Sequence, residues 1–121
     1  MARITGYAQA NVAPERLFEA PILGVRRLIE RVGGSIGDID LVEINEAFAA
    51  QVLADGNELG FDWDRVNVNG GAIALGHPIG ASGGRVLTTL LYELRRRGGG
   101  KGLATLCLGG GGAVAMAGET V

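Results

Sequence analysis

The sequence predicts an α/β domain with a mixed sheet, in the order β-α-β-α-β-α-β-β. Three observations support this class. Apolar runs of strand length alternate with segments of helical spacing, glycines separate most of these segments, and a short glycine turn joins the last two apolar runs. Strands alternating with helices favour parallel pairing, whereas a tight turn between two strands requires an antiparallel pair. The sheet is therefore expected to contain both.

Two strand–helix units occupy the first half of the chain. Their expected bounds are 3–10 for the first strand, 21–32 for the first helix, 39–44 for the second strand, and 45 to about 55–57 for the second helix. Pro21 suits the first turn of a helix, and the glycine pair after residue 32 ends it. Asn45 is expected to be the N-cap of the second helix. The run Asp55-Gly56-Asn57 is poor helix sequence and is expected to weaken its end.

The second half supplies a third unit and a hairpin. The expected bounds are 66–69 for a strand, 82 to about 97 for a helix, and 103–108 and 113–117 for the two hairpin strands. Ser82 is the expected cap of the helix, whose apolar residues keep helical spacing until Gly98. A glycine turn over 109–112 connects the last two strands.

Length and composition limit what the chain can be. Its 121 residues suit a single domain, 1–121, and its net charge of −2, with both signs mixed along the chain, gives no reason to expect nucleic acid or a membrane as partner. One cysteine excludes an intrachain disulfide, and one histidine argues against a zinc site. No apolar run reaches membrane-spanning length and no signal peptide is recognisable, so a cytoplasmic location is expected.

The stretch 67–85 carries six glycines and the only histidine, His77. Such a density of glycine is costly in backbone entropy and is typical of a chain that approaches a ligand closely. Pro78 biases His77 toward an extended conformation, which predicts a histidine held on a stiff loop. Taken alone, the stretch is equally consistent with a structural, hydrogen-bonded histidine.

Two other glycine motifs do not predict nucleotide binding. Residues 110–115 fit the pattern G-x-G-x-x-A, but only six residues follow, too few for the helix and the acidic strand end that a dinucleotide site requires. The loop 76–84 lacks the Lys-Ser/Thr pair of a Walker loop, although its glycines and the following helix start weakly favour an anion.

Three chemically capable side chains fall at predicted strand ends, which is where α/β folds bind ligands. Asn45 follows the second strand, His77 follows the third, and Cys107 lies near the end of the fourth. A thiol, an imidazole and an amide together suggest acyl or proton transfer on a carbonyl compound, with the histidine as base and polar donors for an oxyanion.

Three motifs in this order give the chain a resemblance to the thiolases, specifically to their C-terminal domain, over nearly its whole length. They are NEAFAAQ at 45–51, NVNGGAIALGHPIGASGGR at 67–85 and CLGGGG at 107–112. Related condensing enzymes differ, since ketoacyl synthases lack the C-x-G cysteine and the sterol-carrier type of thiolase usually has histidine in place of Asn45. The resemblance implies a thiolase-like layered fold.

The resemblance also implies roles for four residues. His77 would deprotonate a nucleophilic cysteine and help to hold the thioester oxygen, and Cys107 would shuttle a proton to or from the α-carbon or the leaving thiolate. Gly109 would contribute its backbone N–H to an oxyanion hole. Asn45 would fix a water that, with His77, holds the enolate-like oxygen.

The implied acyl pocket includes Ala47 and Phe48. Leu17 takes the place of a frequent pocket methionine, and Phe18 and Glu19 replace small residues of the family's usual Met-Gly-x-Gly-Pro-x-Pro. The acyl-chain preference of this chain therefore does not follow from the resemblance.

The nucleophilic cysteine of thiolases lies in their N-terminal domain, and this sequence has no second cysteine. The resemblance thus implies an acyl-CoA substrate, no separate cofactor, and an N-terminal domain as partner, without which the chain is expected to be inactive. The face that would meet this partner is expected to be apolar and to promote homo-oligomers. The alternative is a separately expressed, non-catalytic binding or assembly module.

Overall fold

A computed structural model describes residues 2–120. Its strands and α-helices, in chain order, are β1 (Ala2–Asn11), α1 (Ala20–Val32), β2 (Leu41–Ile44), α2 (Ala49–Leu59), α3 (Ala72–Leu75), α4 (Ser82–Arg96), β3 (Gly100–Leu108) and β4 (Gly112–Thr120). Short 3-10 segments occupy Pro14–Glu19, Ile36–Asp38 and Trp63–Arg65. None of the helices within 2–120 is long and apolar enough to cross a membrane.

The four strands form one sheet in the order β1-β4-β3-β2. β4 pairs antiparallel with both β1 and β3, and β2 pairs parallel with β3. The predicted α/β class and the mixed sheet are confirmed. Because β2 and β3 run in the same direction, their carboxyl ends lie at the same edge of the sheet, and this edge carries the candidate site.

Helices cover both faces of the sheet. α1 packs over β1, β4 and β3, and α4 packs on the other face over β2 and β3. Successive residues of β3 therefore enter different cores: Leu103 lies with the α1 residues Val25 and Leu28, and Ala104 with the α4 residues Val86 and Leu90. Coverage on both faces explains why all four residues of β2 are buried.

Helix α4 leaves part of its own sheet face uncovered. Beside its first turns lies a groove of about 360 Å³. Its lining is mostly apolar and comes from β1, β3, β4 and α4: Tyr7, Ala8, Gln9, Gly83, Gly84, Val86, Leu87, Ala104, Leu106, Val114, Ala115 and Met116. Tyr7 remains 63% exposed there. We call this surface the open groove.

The strand expected at 66–69 is wrong in detail. Only Val66 pairs, through an isolated bridge to Val42, and the chain then turns at Asn67, whose φ is +47°. The reason is a side chain. Asn67 Oδ1 accepts from the Ile44 N–H and its Nδ2 donates to the Ile44 carbonyl, both at 2.9 Å, so the amide takes the place of a neighbouring strand.

Two helix starts also differ from expectation. α2 begins at Ala49 rather than at Asn45, and it continues through 55–57 to Leu59. The Trp63 ring packs against Gly56, where an added Cβ would overlap it. Ser82 is the first residue of α4 and not its cap. Its buried hydroxyl donates to the Pro78 carbonyl at 3.1 Å.

Candidate functional site

Asn45 stands at the carboxyl end of β2 and continues its pairing. Its backbone N–H donates to the Thr105 carbonyl of β3 at 3.0 Å, and its side chain is only 1% exposed. Asn45 is therefore held by the sheet and does not cap a helix. This position makes Asn45 a rigid part of the site edge.

His77 lies on an exposed loop between α3 and α4, as the proline after it predicts. Its Nδ1 is 3.5 Å from Asn45 Nδ2 and 2.6 Å from Ser82 Oγ. Two elements that are distant in sequence thus hold one edge of the imidazole. The contact with Asn45 brings together two of the side chains that the sequence singled out.

Glu46 braces the chain that leads to His77. One carboxylate oxygen accepts from Asn67 Nδ2 at 2.8 Å, and the other accepts from the Ile73 N–H at 2.9 Å. Gly71 passes so close to this carboxylate that an added Cβ would overlap it. Glycine is required here by close packing, so the glycine-rich stretch is partly a means of bringing the loop onto the end of β2.

Cys107 lies in β3, two residues beyond the Thr105 that pairs with Asn45, and it is half-buried. Burial raises the pKa of its thiol, and the nearby charge of Asp55 raises it further. Among the hydrogen bonds formed within 2–120, none joins Cys107 to His77. Gly109 follows in the exposed turn after β3. Parallel pairing therefore brings Cys107 and Gly109 to the edge that holds Asn45.

The residues expected to form an acyl pocket lie on an open surface. Leu17 and Ala47 are half-buried, whereas Phe48 is 61% exposed. The ring of Phe48 contacts that of Phe18, with centroids 5.2 Å apart, so the segment before α1 adjoins the segment before α2. The predicted pocket residues thus lie on adjoining segments, and Phe48 is largely open to solvent.

Two charged residues beside Asn45 do not stand out in the sequence. Arg85 donates to Asn45 Oδ1 at 3.4 Å and to Glu43 Oε2 at 3.5 Å. Glu43 is 2% exposed, and burial, partly offset by Arg85, raises its pKa to about 7. The sequence feature that points to this pair is Glu43, because a single acidic residue within an apolar strand needs a polar partner on the sheet face where its side chain lies.

A metal site has no support in the described part of the chain. No group of three or more His, Cys, Asp or Glu side chains within 2–120 is arranged to hold a metal ion. The chemistry available at the edge is that of an imidazole, a thiol, an amide and backbone N–H groups.

Comparisons with known proteins agree in one family. The sequence model of the thiolase C-terminal domain matches residues 1–120. Acetyl-CoA acetyltransferases from Paracoccus denitrificans and Rhizobium meliloti are 58% and 60% identical to the chain over 116 residues, which is 96% of this chain and 30% of each relative. The crystal structure of the Bacillus anthracis acetyl-CoA acetyltransferase superposes with a TM-score of 0.97 at 50% identity, covering 100% of this chain and 31% of that one. The chain therefore spans about three-tenths of the length of these relatives.

Proposed function

The chain belongs to the thiolase family, as its C-terminal domain, and we propose that it supplies the acid–base and oxyanion-binding groups of an acyl-transfer site. The reaction is the thiolysis of a 3-ketoacyl-CoA by coenzyme A, or the reverse condensation of two acyl-CoA molecules. The observation that carries the proposal is the meeting of Asn45 and His77 at the sheet edge that also bears Cys107.

Each group has a task that suits its surroundings. His77 takes the proton of a nucleophilic thiol and presents a ring nitrogen to the thioester oxygen. Cys107 gives a proton to the α-carbon when the carbon–carbon bond breaks, or removes one when that bond forms. A thiol that is mostly protonated is ready to act as the acid, and its raised pKa has this effect.

Oxygen-binding groups come from Asn45 and Gly109. The buried amide of Asn45 directs Nδ2 toward the ring of His77 and can hold a water between amide and substrate oxygen. The backbone N–H of Gly109 serves the oxyanion of the acyl-enzyme. Fixed donors of this kind are each worth about 3–4 kcal/mol in the transition state.

The nucleophilic cysteine and most of the coenzyme A site are proposed to come from an N-terminal domain. Apolar side chains around the His77 loop support this partner, because they are more exposed than a free surface favours: Phe48 61%, Ile73 66%, Leu75 58% and Ile79 85%. The open groove offers a second apolar area for the same domain or for a second copy in a homo-oligomer. Leu17, Ala47 and Phe48 would then be closed over into an acyl pocket.

The test is a fusion of this chain to the part of the Paracoccus denitrificans relative that the match does not cover. We expect acetoacetyl-CoA thiolysis from the fusion and none from the chain alone. His77→Ala should lower the turnover of the fusion by about 10³-fold, within the range of general acid–base catalysis. Tyr92→Ala, an exposed change on α4, is the matched control.

Three results would contradict the proposal. Thiolysis by the chain alone that disappears in His77→Ala would mean that a second cysteine is unnecessary. Full activity of the His77→Ala fusion would remove the histidine from the chemistry. A folded but inactive fusion would favour the non-catalytic module.

A further inference from the structure

The side chain of Asn45 lies between two partners, which contact opposite ends of its amide. Its Oδ1 accepts from Arg85 at 3.4 Å, and its Nδ2 faces His77 at 3.5 Å. The two ends of an amide are nearly equal in size, so shape alone does not decide which faces the site. Hydrogen-bonding partners must decide it.

Arg85 is such a partner because a guanidinium only donates. If the amide of Asn45 were flipped, Nδ2 would face Arg85, and two sets of N–H donors would oppose each other. The flip would also turn Oδ1 toward His77 and the amide N–H groups away from the site. Arg85 therefore favours the one orientation in which the amide donates toward the site.

Glu43 holds the other arm of Arg85. It lies on the α4 face of β2, two residues before Asn45, and accepts from the guanidinium at 3.5 Å. Arg85 stands in the first turn of α4, with its side chain only 19% exposed. One rigid fork thus spans two residues of the same strand, a geometry that the single ammonium of lysine does not reproduce.

We propose that Arg85 is a positioning residue that fixes the amide of Asn45 with its N–H groups toward the site, and that Glu43 anchors Arg85 for this purpose. The simpler alternative is that Arg85 only neutralises the charge of the buried Glu43 carboxylate. The two interpretations differ in what happens when both charges are removed together.

The test uses Arg85→Met, Arg85→Lys and the double change Arg85→Met with Glu43→Gln. Orientation is read in the chain itself, by nuclear Overhauser effects between the side-chain N–H protons of Asn45 and the ring C–H protons of His77. Since His77 is the only histidine, its ring signals are unambiguous. This readout does not depend on activity.

The second readout rests on the proposed function and measures kcat and KM in the fusion. Because the amide itself remains, we expect all three variants to lower kcat by about 10- to 100-fold, less than the loss of a donor would. KM should stay within about threefold. The matched controls are Arg96→Met and Arg96→Met with Glu93→Gln, which remove a similar pair at the other end of α4 and should change neither readout.

Recovery of kcat in the double variant, or retention of the Overhauser effects in any Arg85 variant, would overturn the proposal in favour of simple charge neutralisation. If the single Arg85→Met chain fails to fold, the double variant decides, because it leaves no buried charge unpaired. If the wild-type fusion is inactive, the proposed function fails and the Overhauser effects alone decide the role of Arg85.

Discussion

The two ends of α4 each place an arginine against a buried glutamate, with opposite consequences. At the first turn, Arg85 is the one hydrogen-bonding partner that Glu43 finds within 2–120, at 3.5 Å, and the pKa of Glu43 is raised to about 7 because burial outweighs that partner. At the last turn, Glu93 accepts from Arg96 at 2.6 Å and from Arg97 at 2.7 Å, and these bonds lower its pKa. The residue types are the same, but the balance of donors and desolvation is reversed.

The difference follows from what each arginine does besides meeting a glutamate. Asn69 adds a further donor to Glu93 at 3.1 Å, so the last-turn carboxylate is fully satisfied. Arg85, in contrast, divides its guanidinium between Glu43 and Asn45 and leaves its buried Nε without a partner within 2–120. The charged groups at the first turn of α4 are thus less fully compensated by partners than those at its last turn, as is common where side chains are arranged for function.

The largest expected effect comes from removing one arginine at each end. Arg85→Met strands Glu43 in a buried position and should lower the free energy of unfolding by about 3 kcal/mol at pH 9, where proton uptake by the stranded carboxyl no longer offsets most of the loss. Arg96→Met should lower it much less, because Arg97 and Asn69 still bond Glu93. Urea unfolding of both variants measures this. Equal losses at the two ends would contradict the contrast.

A smaller effect is expected from neutralising the glutamates themselves. The raised pKa of Glu43 means that the folded chain keeps a proton that the unfolded chain has already released, so stability falls as pH rises from about 4.5 to about 7. Glu43→Gln should remove this fall and leave the variant about 1–3 kcal/mol more stable than wild type at pH 8.

Glu93→Gln should act in the opposite direction. A lowered pKa adds stability above the ordinary value of 4.5 and loses it as pH falls. The variant should therefore be less stable than wild type at pH 7, and the difference should shrink toward pH 3. Unfolding curves at four pH values distinguish the two glutamates; parallel pH profiles for both variants would contradict the assigned directions.

The sequence predicted this sheet better than it predicted the site. Strand and helix patterns depend on local periodicity, so α4 and the last hairpin follow from the spacing of their apolar residues. The structure at the end of β2 does not follow from such spacing. There the side-chain amide of Asn67 takes the place of a neighbouring strand, and Asn45 continues the sheet pairing where a helix N-cap is expected. Both are asparagines, whose side chains compete with backbone pairing in ways that local patterns do not record.

The site shows the same limit. Asn45, His77 and Cys107 stand out as candidates because their motifs are distinctive, and the parallel pairing of β2 and β3 brings Asn45 and Cys107 to one edge of the sheet. Arg85 lies within the glycine-rich stretch, yet its partner Glu43 is 42 residues away. Only the packing of α4 against β2 brings Glu43 and Arg85 together, and the spacing of residues along the chain does not predict this contact.

The smallest expected effect extends the contrast to a third buried acid, Asp55 of α2. It is fully buried and bonded to Gln51, yet Asp55 Oδ1 and Gln51 Oε1 both lack a partner within 2–120. Burial raises the pKa of Asp55 to about 6, so the group is ionised at pH 8 and its charge adds to the raised pKa of Cys107. Asp55→Asn should therefore lower the pKa of the thiol.

Alkylation of the single cysteine by iodoacetamide measures this change directly. Because the thiolate is the reactive form, a modest fall in the pKa of Cys107 should speed alkylation of Asp55→Asn at pH 8 by about twofold. Asp64→Asn, which neutralises an exposed acid, is the matched control and should leave the rate unchanged. The effect stays small because burial, the main cause of the raised pKa, is unaltered. A slower reaction in Asp55→Asn would mean that Asp55 acts on Cys107 through packing rather than through its charge.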